Sequence, residues 1–157
     1  MSSGQKDVYE KSLRKIDQSK TEILSSTFGE EFFSNIKRLS QNEKEDKWLV
    51  LGSRSWVKGT EQSQRWCEEN ELNYEIVAGL APSEVLEKLS RAKGVCFLPS
   101  GYDTCPRFVI EAKLLGCQLQ LNDNVQHASE DWFNTDDLNA ITEYLKGRAE
   151  FFWSEVE

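Results

Sequence analysis

The stretch that decides the fold is residues 95–121, VCFLPSGYDTCPRFVIEAKLLGCQLQL. Its two ends, residues 95–98 and 118–121, are short segments that carry apolar residues, as is typical of strands. Between them, residues 106–115 carry apolar side chains at helical spacing, with a proline at the start and Gly116 directly after the end, as in many helices. A strand, a helix and a second strand in this order predict a right-handed crossover between two parallel strands.

The same alternation extends toward the N-terminus. Two more strands and two more helices are predicted there, with strands at residues 48–52 and 74–77 and helices at residues 60–70 and 83–92. A final helical segment covers residues 135–157, which Gly147 is expected to break. These elements predict an α/β fold, with a Rossmann-like open parallel sheet and helices on both faces. We assign this domain to residues 47–157.

Residues 1–46 are polar and helical in character, and they are expected to pack on the core as an N-terminal segment. A first helix is indicated by apolar residues at spacings of three and four, broken only at Lys20: Tyr9, Leu13, Ile16 and Ile23. Thr27 and Glu30 have the spacing of a capping box, which predicts a second helix through Leu39. Residues 41–47 are charged and are expected to link that helix to the α/β core.

The composition limits the function. The chain has 157 residues, the usual size of one domain, and its five Trp and eight Phe are enough for a packed core. A net charge of −8 argues against nucleic-acid binding, because phosphate backbones are bound by clustered Lys and Arg.

No apolar run approaches the ~20 residues of a membrane-spanning helix, and the N-terminus lacks a signal segment, so we expect no membrane span and a cytoplasmic protein. The four cysteines form no CxxC pair, so we expect reduced thiols and no metal site.

The loops after the predicted strands are the natural place for a binding site. Ligands of open parallel sheets bind beyond the carboxyl ends of the strands, where the strand order reverses. The four loops are residues 52–59, 79–82, 99–106 and 122–129. Each carries Gly, Pro or polar residues, so any site is expected to be built from them.

The segment from Leu98 to Cys117 carries the most chemistry. A Pro-Ser pair follows the strand, Asp103 and Glu111 stand eight positions apart, and Glu-Ala and a helix-ending Gly complete the pattern. This pattern resembles the donor site of retaining glycosyltransferases with two Rossmann-like domains, the GT-B type of the glycosyltransferase group 1 family. Asp103 stands where that family usually has Glu. Because helical side chains tilt toward the helix N-terminus, the Glu111 carboxylate is expected to point back toward the loop mouth.

The resemblance implies a role for each of these residues. Glu111 would accept hydrogen bonds from the nucleotide ribose, and Asp103 would face the donor sugar. The backbone N–H groups of Thr104 and Cys105 would bind phosphate or sugar oxygens at the helix N-terminus. Two simpler interpretations stay open, in which Glu111 forms an i, i+4 ion pair with Arg107 on an exposed helix face and Asp103 caps a helix or turn.

A second segment, residues 52–59, reads GSRSWVKG and resembles the phosphate-binding segment of the same family. Its final Lys-Gly matches, whereas the family commonly has Arg at the position of Ser53, and here Arg54 follows one residue later. Arg54 and Lys58 would neutralise the charge of a departing nucleoside diphosphate, so no metal cofactor is expected. The alternative is that both are ordinary solvated cations. The nucleotide site would be completed by Gly52, Ser53, Asn124 and Val125.

The resemblance implies the donor half of a glycosyltransferase, which binds a UDP- or GDP-linked sugar and needs a separate acceptor-binding domain. Two such domains do not fit into 157 residues. Asp103 and the displaced Arg54 favour the alternative of a noncatalytic nucleotide-binding or protein-interaction domain with the same fold. A receiver-like signalling domain is less favoured, since it would need clustered acids where this chain has Gly52, Ser53 and Arg54.

Two further expectations concern aromatic and imidazole side chains. His127, the only histidine, is expected in a surface loop and not in catalysis. Phe151, Phe152 and Trp153 are adjacent in a predicted helix, where consecutive side chains point about 100° apart. At least one of the three rings is therefore expected to be exposed.

Overall fold

The computed structural model describes residues 2–12 and 22–156, in which six helices and four strands are found. The helices are α1 Ser3–Ser12, α2 Glu30–Leu39, α3 Thr60–Glu69, α4 Pro82–Arg91, α5 Arg107–Leu114 and α6 Leu138–Val156. The strands are β1 Glu45–Leu51, β2 Tyr74–Val77, β3 Ala92–Phe97 and β4 Gln118–Leu121. Two 3₁₀ helices, Trp56–Lys58 and Gln126–Ser129, lie in the loops after β1 and β4.

The four strands form one parallel sheet in the order β2-β1-β3-β4. Leu49 in β1 lies opposite Glu75 of β2 and Val95 of β3. The chain passes from β1 to β2 on one side and then crosses to β3 on the other, so the strand order reverses between β1 and β3. The predicted α/β class with an open parallel sheet is confirmed, and this reversal is where such sheets bind ligands.

Helices cover both faces of the sheet. On one face, Leu49 and Phe97 belong to the main core, which buried residues of α2, α4, α5 and α6 complete. On the other face, Val50 and Cys96 pack with Cys67 of α3. The division follows from the alternation of side chains along a strand.

Helix α5 is buried along most of its length, because it contacts β3 and β4 of the sheet and the neighbouring helices α4 and α6. The residues that follow Arg107 are buried through Ala112, as is Leu114. Gly116 comes next with a φ of 75°, the left-handed conformation that closes many helices, as the sequence predicted. Glu111 is therefore carried into the interior by the helix on which it stands.

The start of α2 differs from the prediction. Gly29 occupies the N-cap position, and no side-chain hydrogen bond caps the helix. The capping box of Thr27 and Glu30 is therefore wrong, although the helix itself is present. Its buried residues Phe33 and Ile36 join the main core, and this packing stabilises the helix without a side-chain cap.

Two other N-terminal predictions are corrected or only partly covered. The linker predicted at residues 41–47 is shorter, because β1 begins at Glu45, which pairs with Ala92 at the start of β3. Tyr9 of the first predicted helix lies in α1, whereas Ile23 lies outside any helix. The other two members of that pattern, Leu13 and Ile16, fall outside the described residues.

Helix α6 runs through Gly147 without a break, so the predicted interruption is wrong. Ile141 and Leu145 anchor its first half in the core, which offsets the roughly 0.5–1 kcal/mol that a helical glycine costs relative to alanine. Farther along, Phe152 is 40% exposed and Trp153 is 65% exposed, which confirms that the adjacent aromatics are not all buried. Neither α6 nor any other helix among the described residues is long and apolar enough to cross a membrane.

Candidate functional site

Gly59 brings the loop after β1 against the loop after β3. It ends the 3₁₀ helix Trp56–Lys58 with a φ of 63°, a left-handed conformation that favours glycine. A Cβ at this position would collide with the carbonyl oxygen of Leu98. The N–H of Ser100 also donates to the carbonyl of Val57 at 2.9 Å. The two loops at the reversal of strand order are therefore packed directly against each other.

Lys58 and Asp103 form an ion pair across these two loops. The Lys58 Nζ lies 2.6 Å from Asp103 Oδ2, and the side chains are 35% and 11% exposed. The N–H of Asp103 donates to the carbonyl of Asn124 at 2.8 Å, and its own carbonyl accepts from the N–H of Gln126 at 3.0 Å. Asp103 is thus fixed by the loops after β1, β3 and β4 together. It does not cap α5, whose N-cap is Pro106.

The loop after β4 is held in place by its own side chains. Asn122 and Asn124 each donate from Nδ2 to the carbonyl of Pro99, at 3.0 and 2.8 Å. The N–H groups of Asn124 and Val125 bond to Asn122, and the Val125 side chain is 2% exposed. Asn124 and Val125, predicted to touch a nucleotide, therefore act in this structure by shaping the loop that supports Asp103.

The backbone donors of Gly52 and Ser53 are also occupied. The N–H of Gly52 donates to the carbonyl of Val77 at 2.8 Å, and the N–H of Ser53 donates to Oγ1 of Thr60 at 3.1 Å. Both residues line a cavity of about 420 Å³ beside the carboxyl ends of β1 and β2, together with Arg54. A ligand in this cavity would therefore not bond to these two N–H groups, whereas the Arg54 side chain lines the cavity.

Arg54 also lines a second cavity, a crevice of about 380 Å³ between the loop after β1 and α3. Trp56 and Arg65 line the same crevice, and Trp56 is 74% exposed. On the loop after β3, Tyr102 is 70% exposed. Sequence reasoning missed the exposed rings and Arg65. The sequence signal for the exposed ring was Trp56 itself, which stands in a polar loop bounded by glycines, where few apolar neighbours can bury it.

Glu111 occupies a different cavity, of about 350 Å³, whose lining comes from α2, α4 and α5. Its side chain is 12% exposed, and Oε1 lies 3.5 Å from Nε of Arg107. Burial raises the pKa of the Glu111 carboxyl, while the charge of Arg107 acts in the opposite direction. The i, i+4 ion pair is therefore present, but the Glu111 side chain is buried and not on an exposed helix face. Its carboxylate borders a space beside Phe32 and Pro82.

The predicted site residues thus fall into separate groups. The structure brings Lys58 and Asp103 together, with Asn124 behind them. Arg54 lies on the neighbouring crevice, and Glu111 lies on the cavity between the helices. The convergence of all four charged side chains on one ligand stays a prediction.

Thr104 and Cys105 stand between Asp103 and the start of α5. No hydrogen bond from their N–H groups is found within the described residues. The Ser26 hydroxyl donates to the Cys105 carbonyl at 3.4 Å, which ties the N-terminal segment to this turn. All four cysteines are free thiols, and Cys105 is the one that is not buried.

His127 is buried, so its predicted place in a surface loop is wrong. Its ring is 1% exposed, stacks on Trp132 at 5.6 Å and meets Phe133 edge-on at 4.5 Å. Neither ring nitrogen has a hydrogen-bond partner among the described residues. Burial lowers the pKa of His127 to about 4, and the nearby backbone of Thr104 acts in the opposite direction, although neither ring nitrogen has a hydrogen bond to it. The Trp-Phe pair five residues on was a sequence signal for this aromatic cluster.

Comparisons of the chain with protein-family models, with curated proteins and with solved structures found no match.

Proposed function

We propose that this chain binds a nucleotide diphosphate sugar and forms the donor half of a retaining glycosyltransferase. One observation carries the proposal. The two segments that resemble that family, residues 52–59 and 98–117, begin side by side at the reversal of strand order, where Lys58 meets Asp103. This is the place at which open parallel sheets bind nucleotides.

The available groups suit the charge of such a ligand. Arg54 and Lys58 would offset the negative charge that grows on the diphosphate as the sugar–phosphate bond breaks. The N–H groups of Thr104 and Cys105 would donate to phosphate or sugar oxygens. Glu111 would accept hydrogen bonds from the ribose hydroxyls, as acidic residues do in dinucleotide-binding folds. The sugar would be transferred to an acceptor held by a separate domain.

A noncatalytic binding domain of the same fold is the second candidate, and the Lys58–Asp103 pair favours it. The Asp103 carboxylate is bonded to Lys58 at 2.6 Å, so it joins the loops after β1 and β3. A residue with that role need not contact a sugar. The two candidates differ in turnover and not in fold.

Calorimetric titration with UDP, GDP and their sugar conjugates tests the binding claim, with EDTA and with Mg²⁺ in parallel. Lys58→Met is expected to weaken binding of the preferred nucleotide by about tenfold or more, since it removes a charge-assisted contact. Lys93→Met is the matched control, because Lys93 also forms an ion pair, with Asp46, at the amino ends of β1 and β3, opposite these loops. No saturable nucleotide binding in any condition would end the proposal.

A turnover assay separates the two candidates. The chain would be mixed with the donor that it binds and with a purified acceptor-binding domain, and sugar transfer and donor hydrolysis would both be followed. The donor-half proposal expects transfer only when the acceptor domain is present. Tight nucleotide binding without transfer under any pairing would favour the noncatalytic domain.

A further inference from the structure

The crevice between the loop after β1 and α3, here named the Arg54–Arg65 crevice, has a chemistry of its own. It encloses about 380 Å³ and is lined by Arg54, Trp56, Glu61, Gln62, Arg65 and Ser100, among others. It shares Ser53 and Arg54 with the proposed donor site, and its other lining residues lie outside that site.

The two guanidinium groups are the first feature that points to a ligand. Neither Arg54 nor Arg65 forms an ion pair or hydrogen bond within the described residues. Arg91 and Arg107, by contrast, are paired with Glu87 and Glu111. On a chain of net charge −8, two unpaired arginines on one crevice are available for an anion. A guanidinium presents parallel N–H donors that match a carboxylate or a phosphate.

Glu61 lines the same crevice and opposes an anion there. It stands four residues before Arg65 on α3, yet no ion pair joins the two side chains. The formal charge of the lining is therefore +1, from two arginines and one glutamate. Removing the Glu61 charge should strengthen the attraction for an anion, whereas removing the Arg65 charge should weaken it.

Trp56 supplies a flat apolar face at the same place. Its ring is 74% exposed, and a Cβ added at Gly101 would lie 3.7 Å from its Cη2 atom. The backbone of Trp56 is fixed because its carbonyl accepts from the N–H of Gly59 at 3.2 Å. An exposed ring gains apolar contact when a ligand covers it. The rest of the lining is polar, with the amide of Gln62 and the hydroxyl of Ser100.

We propose that the Arg54–Arg65 crevice binds an acidic saccharide, a sugar that carries a carboxylate or a phosphate. Arg54 and Arg65 hold the anionic group, one face of the sugar ring lies on Trp56, and Gln62 and Ser100 bond to hydroxyls. A saccharide fits better than a nucleotide base, because a single aromatic face in a polar lining matches a ring with one apolar face and many hydroxyls.

The test is a titration of the full chain with glucose 6-phosphate, glucuronate, glucose, inorganic phosphate and UDP, followed by NMR chemical shifts. The parent is expected to bind at least one of the two acidic sugars more tightly than glucose. The two acidic sugars distinguish phosphate from carboxylate. Arg65→Gln is expected to weaken that binding about tenfold, and Glu61→Gln is expected to tighten it.

Trp56→Ala and Arg91→Gln complete the design. Trp56→Ala should weaken binding of the acidic sugar and leave binding of inorganic phosphate unchanged. Arg91→Gln, which removes a paired arginine on α4, should change neither affinity. If Trp56→Ala does not keep the parent's melting temperature, the proposal is decided by the other two variants. Arg65→Gln must then weaken acidic-sugar binding and Glu61→Gln must tighten it. Equal binding of glucose and the acidic sugars would overturn the proposal, as would tighter binding of UDP that depends on Trp56. If Lys58→Met loses nucleotide binding but still binds the acidic sugar, the two ligands occupy different sites.

Discussion

The ammonium group of Lys58 lies 2.6 Å from the carboxylate of Asp103, and the two residues are 45 positions apart in the chain. The contact joins the loops at the point where the strand order reverses. Its two partners differ in exposure, since the Asp103 side chain is 11% exposed and that of Lys58 is 35% exposed. Removing Lys58 would therefore leave a largely buried carboxylate unpaired, whereas removing Asp103 would leave a partly exposed ammonium group unpaired.

We expect Lys58→Met to destabilise the chain more than Asp103→Asn. Without Lys58, the largely buried Asp103 carboxylate has no cation beside it, at a cost of about 1–3 kcal/mol. Without Asp103, Lys58 can still be hydrated, so the loss should be about 1 kcal/mol or less. Urea unfolding of both variants and of the double variant gives the coupling energy. Equal losses from the two single substitutions would contradict this account.

Glu111→Gln should raise the free energy of unfolding at pH 7. Burial is the main cause of the raised pKa of Glu111, so the charged carboxylate is less favourable in the folded chain than in the unfolded one. The parent therefore loses stability as the pH rises from 4.5 through the raised pKa, and the Gln variant does not. Arg107→Gln is the matched control and should lower stability, because it removes the cation that compensates Glu111.

The same substitution also tests the proposed ribose contact. Glu111→Gln should weaken nucleotide binding by about 1.5–3 kcal/mol, the range for hydrogen bonds to charged groups. A variant that is more stable than the parent but binds less tightly would show that the buried charge is kept for binding. Unchanged nucleotide affinity would show that Glu111 does not contact the ribose and acts only in its ion pair with Arg107.

His127 should make the chain less stable in mild acid. Its pKa is about 4 in the folded chain against 6.5 for an unperturbed histidine, so the unfolded chain takes up the proton first. The contribution is fully favourable above pH 6.5 and is lost as the pH falls toward about 4, to a total of about 3 kcal/mol. Between pH 6.5 and about 4, the unfolding free energy of the parent should fall more steeply with falling pH than that of His127→Phe, and outside this range the two slopes should agree. A variant with the parent's pH dependence would show that another group is responsible.

Gly59→Ala and Gly79→Ala form a pair that separates backbone strain from collision. Both glycines have a left-handed φ, of 63° and 66°, which costs about 1–2 kcal/mol for alanine. A Cβ at Gly79 meets nothing within 4 Å, whereas one at Gly59 collides with the Leu98 carbonyl. Urea unfolding should show a loss near that strain for Gly79→Ala and a clearly larger loss for Gly59→Ala. Similar losses would mean that the two loops separate easily.

The elements of the sheet could be predicted because each strand is a short segment with apolar residues, and polar residues, glycine or proline lie between the segments. Strands β2 and β4 have the predicted bounds, and the other two begin earlier than predicted. Strand pairing explains the difference at β1, since Glu45 becomes part of the strand only through its partner Ala92. The continuity of α6 through Gly147 likewise depends on Ile141 and Leu145, which reach a core that local spacing does not describe.

The candidate site could be predicted only in part. The sequence places Lys58 and Asp103 in loops after strands, but their contact requires the order β2-β1-β3-β4, which an alternation of strands and helices does not determine. The burial of His127 depends on Trp132, whose own position is set by stacking on Tyr144 of α6 at 4.7 Å. Local sequence carries little information about such contacts between distant elements.

The strand order has a further consequence for association between molecules. Within the described residues, β2 and β4 each pair with one strand, so backbone groups on their outer sides lack a strand partner. Such sides are templates for edge-to-edge aggregation, which charged side chains and short strands oppose. In β2, Glu75 lies between Lys47 and Lys88, at 3.7 and 2.6 Å. In β4 there is no charged residue, but the strand has only four residues. Aggregation through the sheet is thus opposed by strands of only four residues on both sides and, at β2, also by charge.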